Sequence, residues 1–333
     1  MIRLLAIACA FLLSAAVNPA PSEAQTRTIK LATIALNGSP WHKAMQKFKE
    51  IVEAENNGRL TVSLYTDGHL GDIGQLMTAM QLGTVEMSYY GVTSIVQLKG
   101  AETLNIMYTP YLFKNAEWAE RILNNDEFKG IYNKIAETAG VRVVGAWGQR
   151  SARALQTTKG PITEPEQLKG MRLRVPPIMM LKATFETLQT QITPMGMLDI
   201  YNALSRGAID GQDNGFDLSI PARFHEVAKY WSATDHAIEL VGFFASERFW
   251  KGLSAEDRAL IERAGKQAGA LTTELTRKLD AEAVEILKAA GVTYVVPNRD
   301  KFRAALSGLE KEYDGKSWPA GMVERIRKLQ EGQ

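Results

Sequence analysis

Hydrophobic and polar positions switch between two periods along most of the chain. Residues 28–35 follow the two-residue period of a strand. Behind them Trp41, Ala44, Met45, Phe48, Ile51 and Val52 fall on one helical face. Ser39 and Pro40 supply an N-cap followed by proline at the first helical position, and Gly58 a C-terminal stop. Strands over 60–65, 85–90 and 141–147, and helices over 75–82, 116–124 and 128–139, continue the rhythm. This order predicts an α/β sheet.

A second unit begins near Arg150, after which Pro161 and Pro165 punctuate a connection. Residues 171–175 read as a short strand stopped by Pro176 and Pro177. Helices are predicted over 178–188 and 198–205. A strand over 208–211 is predicted to lead into a polar loop at 212–215. The longest helical pattern is 254–290, opened by Ser254 with Asp257 at capping-box spacing and closed by Gly291. As one helix it would run about 55 Å at roughly 1.5 Å per residue, more than one small domain is wide. It is therefore predicted to span both units, with Gly265 and Gly269 as points where it bends. No repeat or flexible linker separates the units. The expected architecture is two lobes joined by crossing strands and the long helix.

The chain has 333 residues and is 45% hydrophobic, a globular balance that fits two domains. Lys plus Arg is 39 against 37 Asp plus Glu, which argues against a nucleic-acid partner and its concentrated basic face. One apolar run, 4–17, follows Arg3 and is too short for a span of about 20 residues. With Pro19 after it and small residues at 22–24, it reads as an export signal over residues 1–24, cut after Ala24. Cys9 is the only cysteine and would leave with that signal. Thiol nucleophiles, disulfides and thiolate metal sites then drop out, as suits an oxidising periplasm.

Catalytic signatures are scarce. His42, His69, His225 and His236 form no zinc-type pair, and no GxSxG elbow occurs. The glycines at 68, 71 and 74 do not make a dinucleotide fingerprint. Neither a metal nor a cofactor is expected. Dispersed carboxylates could still meet in space, so a periplasmic hydrolase or lyase stays a rival.

Arginines carry the positive chemistry. Arg174 ends a short strand just before Pro176, and strand ends are where open α/β sheets bind ligands. Its planar fork suits a carboxylate. Arg172 shares the strand face, so alternation alone does not choose between them. Arg153 follows the strand ending at Trp147 in the same manner.

Several ordered motifs resemble the solute-binding proteins of TRAP transporters, the DctP family. They include LKGMRLRVP at 168–176, TPMGMLDIYNAL at 193–204 and GAIDGQDN at 207–214. QLGTVEM at 81–87, FHEVAKY at 224–230 with Thr234, Asp235 and His236, and Phe249 with Trp250 also fit. The resemblance implies a two-lobed periplasmic protein that closes on an organic acid. It would deliver the acid to the small and large membrane subunits of an ion-gradient-driven permease. A sensor-coupled binding protein would share these motifs. A monomer is expected.

The family's main arginine falls on Arg174 and its asparagine on Asn214. The second arginine falls on Arg153, with Arg150 as a rival. Asp213 and Gly215 depart from the family's Glu and Pro, and Met197 stands where many members carry Phe against the ligand. Ile34, Ile73 and Gly91 occupy positions that are polar in sugar-acid binders, so a less polar pocket is expected. Tyr90 (or Tyr89), Trp147 and Phe216 are candidate aromatic walls, and His236 a structural histidine. On this basis the first lobe comprises 25–150 plus about 238–275, and the second 151–237 plus about 276–333. Which acid is bound stays open: aromatic or branched monocarboxylates fit, and dicarboxylates are not excluded.

Overall fold

The computed structural model describes residues 26–331. The proposed signal segment, its cleavage after Ala24 and Cys9 lie outside the described residues. Eleven strands occur among the described residues: β1 (Arg27–Ala32), β2 (Leu60–Tyr65), β3 (Met87–Gly91), β4 (Val141–Gln149), β5 (Arg153–Thr157), β6 (Arg172–Val175), β7 (Gln191–Pro194), β8 (Gly211–Asn214), β9 (Tyr230–Ala237), β10 (Leu240–Ser246) and β11 (Thr293–Val295). They build two mixed sheets, ordered β2-β1-β3-β10-β4 and β11-β9-β5-β8-β6-β7.

Two strand-to-strand passages join the sheets. Residues 150–152 carry the chain from β4 into β5, and residues 238–239 carry it back from β9 into β10. The third connection is the helix Ala255–Ala289, 35 residues without a break. Ser254 Oγ accepts from the Asp257 amide at 3.0 Å to start it, and Gly291 at φ +73 follows its end. Its first half packs on β4 and on the helix Pro40–Glu55, and its last turns meet β11.

Gly265 and Gly269 do not interrupt this helix, and both face Trp147 of β4. A Cβ on Gly265 would lie 2.5 Å from the Trp147 ring, and one on Gly269 would lie 2.6 Å from Trp147 Cβ. Both glycines exist to let β4 approach the helix. The first lobe's helix Pro40–Glu55 buries the six residues its pattern singled out, under an Ser39 cap. It stops at Glu55, before Gly58, because Asn56 turns its side chain onto the Val52 and Leu60 carbonyls.

The polar run at 211–214 is another difference. The sequence predicts a strand over 208–211 and a loop from 212, whereas 211–214 is β8, a strand buried between β5 and β6. Side chains there are bonded rather than apolar: Gln212 donates to Gln156 and Ser219, and Asp213 accepts from Arg153. The C-terminal helix Met322–Leu329, placed with the second lobe by sequence, bonds to Glu310 through Arg327, and Gln330 just after it reaches residues 112–114. There Gln330 donates to the Leu112 carbonyl and accepts from the Lys114 amide.

Candidate functional site

A cavity of about 90 Å³ lies between the two sheets. One side is lined by Arg174, Pro176, Pro177, Ile178, Met197 and Asn214 of the second sheet's units. The facing side brings Ile34, Trp41, Ile73, Gly91 and Ser94, and the crossing segments contribute Arg150, Arg153 and Glu239.

Arg174 stands at the end of β6, as its sequence position suggests, and is 3% exposed. Its Nε donates to the Met195 carbonyl at 2.9 Å. Its two Nη nitrogens take no acceptor from the protein, and no carboxylate pairs with it among the described residues. Burial accordingly pushes its pKa down to about 10, which still leaves it charged at neutral pH. Arg172 points elsewhere, into an ion pair with Asp210 at 2.7 Å, so it is excluded from the cavity.

Arg150 and Arg153 are buried too, but each is spoken for. Arg150 bonds Asp217 at 2.8 Å through Nε, Glu239 through Nη1 and the Asn214 side-chain oxygen at 2.9 Å through Nη2. It also lies over the Trp41 ring, 4.9 Å from its centre. Arg153 bonds Asp213 Oδ2 at 2.6 Å and the Asp213 carbonyl at 2.9 Å. Its Nη1 makes one long hydrogen bond, to the Tyr108 hydroxyl at 3.4 Å, and stands 3.8 Å from Glu239 Oε2. Burial works against both cations, and their carboxylates outweigh it and raise both pKa values. Likewise burial alone would raise the Asp213 carboxyl, while Arg153 and His236 hold it well below the usual range.

Asn214 accepts from Arg150 and from the Gly215 amide, which fixes its oxygen and leaves the Nδ2 donor for the cavity. Gly215, an apparent departure from the family pattern, has a local reason. A Cβ there would come within 2.6 Å of the Ser151 carbonyl and of Asp217 Oδ1, so glycine admits the close pass of the crossing segment.

The sequence candidates thus separate. Arg174, Arg153, Asn214 and Met197 meet at one cavity, together with the rival Arg150. Three aromatic candidates do not. Trp147 packs on the long helix, with Lys266 over its ring at 5.9 Å. Phe216 stacks on Trp231 at 4.3 Å in a small second-lobe cluster. Tyr90 is fully buried near Phe244, and Tyr89 donates to or accepts from Thr272 at 2.6 Å. The aromatic walls are Trp41 and Tyr108 instead. Trp41 was assigned to a helix's core face, which is true of its ring but not of its Nε1, which donates to Asp217 at 3.1 Å. Nothing in the sequence marks Tyr108. His236 sits behind the site, bonded to Thr234 at 2.9 Å.

The wall is also more polar than the substitutions at 34, 73 and 91 suggest. Asp72, Ser94, Gln97 and Glu239 line it alongside Ile34 and Ile73. Gly91 is the cause of one of them: a Cβ there would fall within 2.8 Å of three Glu239 carboxylate atoms.

Two interlocked lobes around a cavity with one unpaired cation define a solute-binding protein. The chain belongs to the DctP family, bacterial extracellular solute-binding protein family 7, whose pattern matches residues 31–316. It is 31% identical to a solute-binding protein of Roseobacter denitrificans over 87% of this chain and 88% of that one. A TRAP periplasmic solute-binding protein of Roseobacter denitrificans with bound L-galactonate superposes with a TM-score of 0.82 at 29% identity, covering 92% and 98% of the two chains. One of Actinobacillus succinogenes, also with bound L-galactonate, gives 0.86 at 25% identity, covering 92% and 100%. Members of this family are periplasmic and serve TRAP permeases. Among the described residues no helix is long and apolar enough to cross a membrane.

Proposed function

We propose that this protein captures a small organic acid between its lobes and hands it to the membrane subunits of a TRAP permease, without chemical turnover. Arg174 holds the ligand carboxylate through its two Nη nitrogens. Asn214 Nδ2 and Arg153 Nη1 add donors beside it, and Met197 and the first-lobe wall cover the rest. Of the two rival arginines, Arg153 is the ligand partner. It keeps a nitrogen whose one hydrogen bond is long, at 3.4 Å, whereas all three of Arg150's are bonded by the protein.

The observation that carries this reading is the Arg174 guanidinium, buried at the cavity with no carboxylate partner among the described residues, while Arg150 and Arg153 at the same cavity each have one. An unpaired buried charge is costly, and an anionic ligand removes the cost. The relatives with bound L-galactonate supply a precedent for an acid in this fold. A cavity of about 90 Å³ supports a small ligand.

Closure follows from the two-sided lining. A ligand touching only Arg174 would bind open and closed states alike, so contacts with the facing lobe are what shift the balance. A thermal-shift screen against sugar acids, keto acids, aromatic acids, dicarboxylates and neutral sugars tests the reading. An acid at about 100 times its dissociation constant adds about 2.7 kcal/mol. The same acid should leave Arg174→Ala unshifted. Stabilisation by neutral sugars alone, or undiminished in Arg174→Ala, overturns the reading.

A further inference from the structure

We propose that Glu239 restricts the ligand to a single carboxylate, an inference that rests on the carboxylate reading of Arg174. Glu239 sits in the passage from β9 to β10, 5% exposed, and its carboxylate lines the cavity. Its Oε2 accepts from Arg150 Nη1 and lies 3.8 Å from Arg153 Nη1. It reaches that place only because residue 91 has no side chain: a Cβ on Gly91 would stand 2.2 Å from Oε1.

Charge around the cavity then balances without a ligand. Arg150, Arg153 and Arg174 are offset by Asp213, Asp217 and Glu239, all six buried. Asp72 adds a fourth carboxylate on the first-lobe side of the cavity. The balance is uneven in space, because the three buried carboxylates lie on or beside Arg150 and Arg153. One ligand carboxylate pairs with Arg174 and meets the local excess of positive charge. A second, on the far end of a small acid, meets the Glu239 and Asp72 carboxylates of the lining, while the charges of Arg150 and Arg153 are already offset by Asp217, Glu239 and Asp213. Like charges held close in a protein interior repel more than they do in water. Hydroxyl groups carry no such penalty, since Glu239 and Asp72 are acceptors. The substrate class is therefore a small monocarboxylate, with hydroxyl groups tolerated, and dicarboxylates of the same skeleton are refused.

Two matched pairs of probes isolate the second charge: 2-hydroxybutyrate with malate, and galactonate with galactarate. Dissociation constants are measured by calorimetry at pH 7.5 for the wild type and for Glu239→Gln, which keeps the side chain's shape beside Gly91. In the wild type the monoacid of a pair should bind at least tenfold more tightly than the diacid. Glu239→Gln should narrow that ratio at least tenfold, by removing the facing negative charge and leaving Arg150 Nη1 without its carboxylate partner. Tighter diacid binding by the wild type sinks the inference and leaves the carboxylate reading standing, with no variant needed. A ratio unchanged in folded Glu239→Gln sinks the role of Glu239. If none of the four acids binds either protein, the carboxylate reading fails and this inference falls with it.

Discussion

Arg150 and Arg174 are buried at the same cavity and do opposite things there. Arg150 has a protein acceptor for each of its nitrogens and an indole ring beneath it. Arg174 has one carbonyl on Nε and nothing on its outer nitrogens. A saturated guanidinium at a crossing segment ties residues 150, 217 and 239 into one unit, so its worth is spent on the fold. An unsaturated one stores a binding interaction for an outside partner. Sequence position does not separate the two, since both follow strand-like segments. Only the count of acceptors does.

The comparison breaks most directly by removing each arginine in turn. Arg150→Met strands the Asp217 and Glu239 carboxylates in the interior. Losing one partner of a buried ion pair costs about 3–5 kcal/mol. Denaturant unfolding of the ligand-free protein should show that loss, and a change under about 1 kcal/mol would make Arg150 a bystander. Arg174→Ala should behave in reverse. Stability without ligand holds or rises, because an uncompensated buried charge is gone. Affinity for the acid should fall by about 2–5 kcal/mol, the range for truncating a buried charge partner. Calorimetry on both variants decides whether folding and binding are divided between these two arginines as described.

How much of this was visible in the sequence follows the kind of signal each part leaves. Elements with apolar periodicity were legible: the helix Pro40–Glu55 buries the six residues predicted. The strand Gly211–Asn214 was not, because its side chains are polar and bonded to Gln156 and Arg153 of β5 and to Arg150 of the crossing segment. Periodicity reads burial in apolar surroundings, and a central strand of bonded polar groups lies outside its reach. The site divides the same way. Arg174 and Asn214 sit at motif positions that a chain alone reveals. Glu239, Trp41 and Tyr108 reach the cavity only through the lobe crossing and the packing of separate segments. Trp147 misled for the opposite reason: its place next to the second lobe in sequence suggested the cleft, while two glycines on the long helix draw its ring to the other side.

Those glycines sharpen a second contrast, between a helix held by close approach and one that is not. Gly269→Ala puts a methyl group 2.6 Å from Trp147 Cβ and 2.8 Å from its backbone carbon, where neither neighbour can step aside. Overpacking of this kind costs about 1–3 kcal/mol. Gly130 lies on the exposed face of the helix Asp126–Ala139 with nothing within 4 Å of its added Cβ. Gly130→Ala should therefore stabilise, by about 0.4–1 kcal/mol. The same chemical change with opposite signs, measured by unfolding, checks that the glycines of the long helix are required by the close approach of Trp147.

A pH-dependent effect concerns Asp280, where Ser151 of the crossing segment bonds the long helix. Ser151 Oγ donates to it at 2.5 Å and accepts from the Asp217 amide at 3.0 Å, so one hydroxyl links the helix to the Arg150 unit. Burial is the main cause that pushes the Asp280 carboxyl up to about 7; the Ser151 bond opposes it, and Asp217 and Asp235 reinforce it. Between about pH 4 and pH 7 the folded protein keeps a proton that the unfolded chain has released, so this group's contribution to stability falls as pH rises through that window. His42 and His225, whose pKa values burial lowers, act in the other direction, stabilising as pH rises toward 6.5. The difference between wild type and Asp280→Asn removes their share. That variant should gain relative to wild type from pH 4 upward and level off above pH 7, at about 1 kcal/mol once water's access to the carboxylate is counted. A flat difference across pH 4 to 8 would mean that Asp280 is ionised throughout and that the Ser151 link carries no proton-dependent cost.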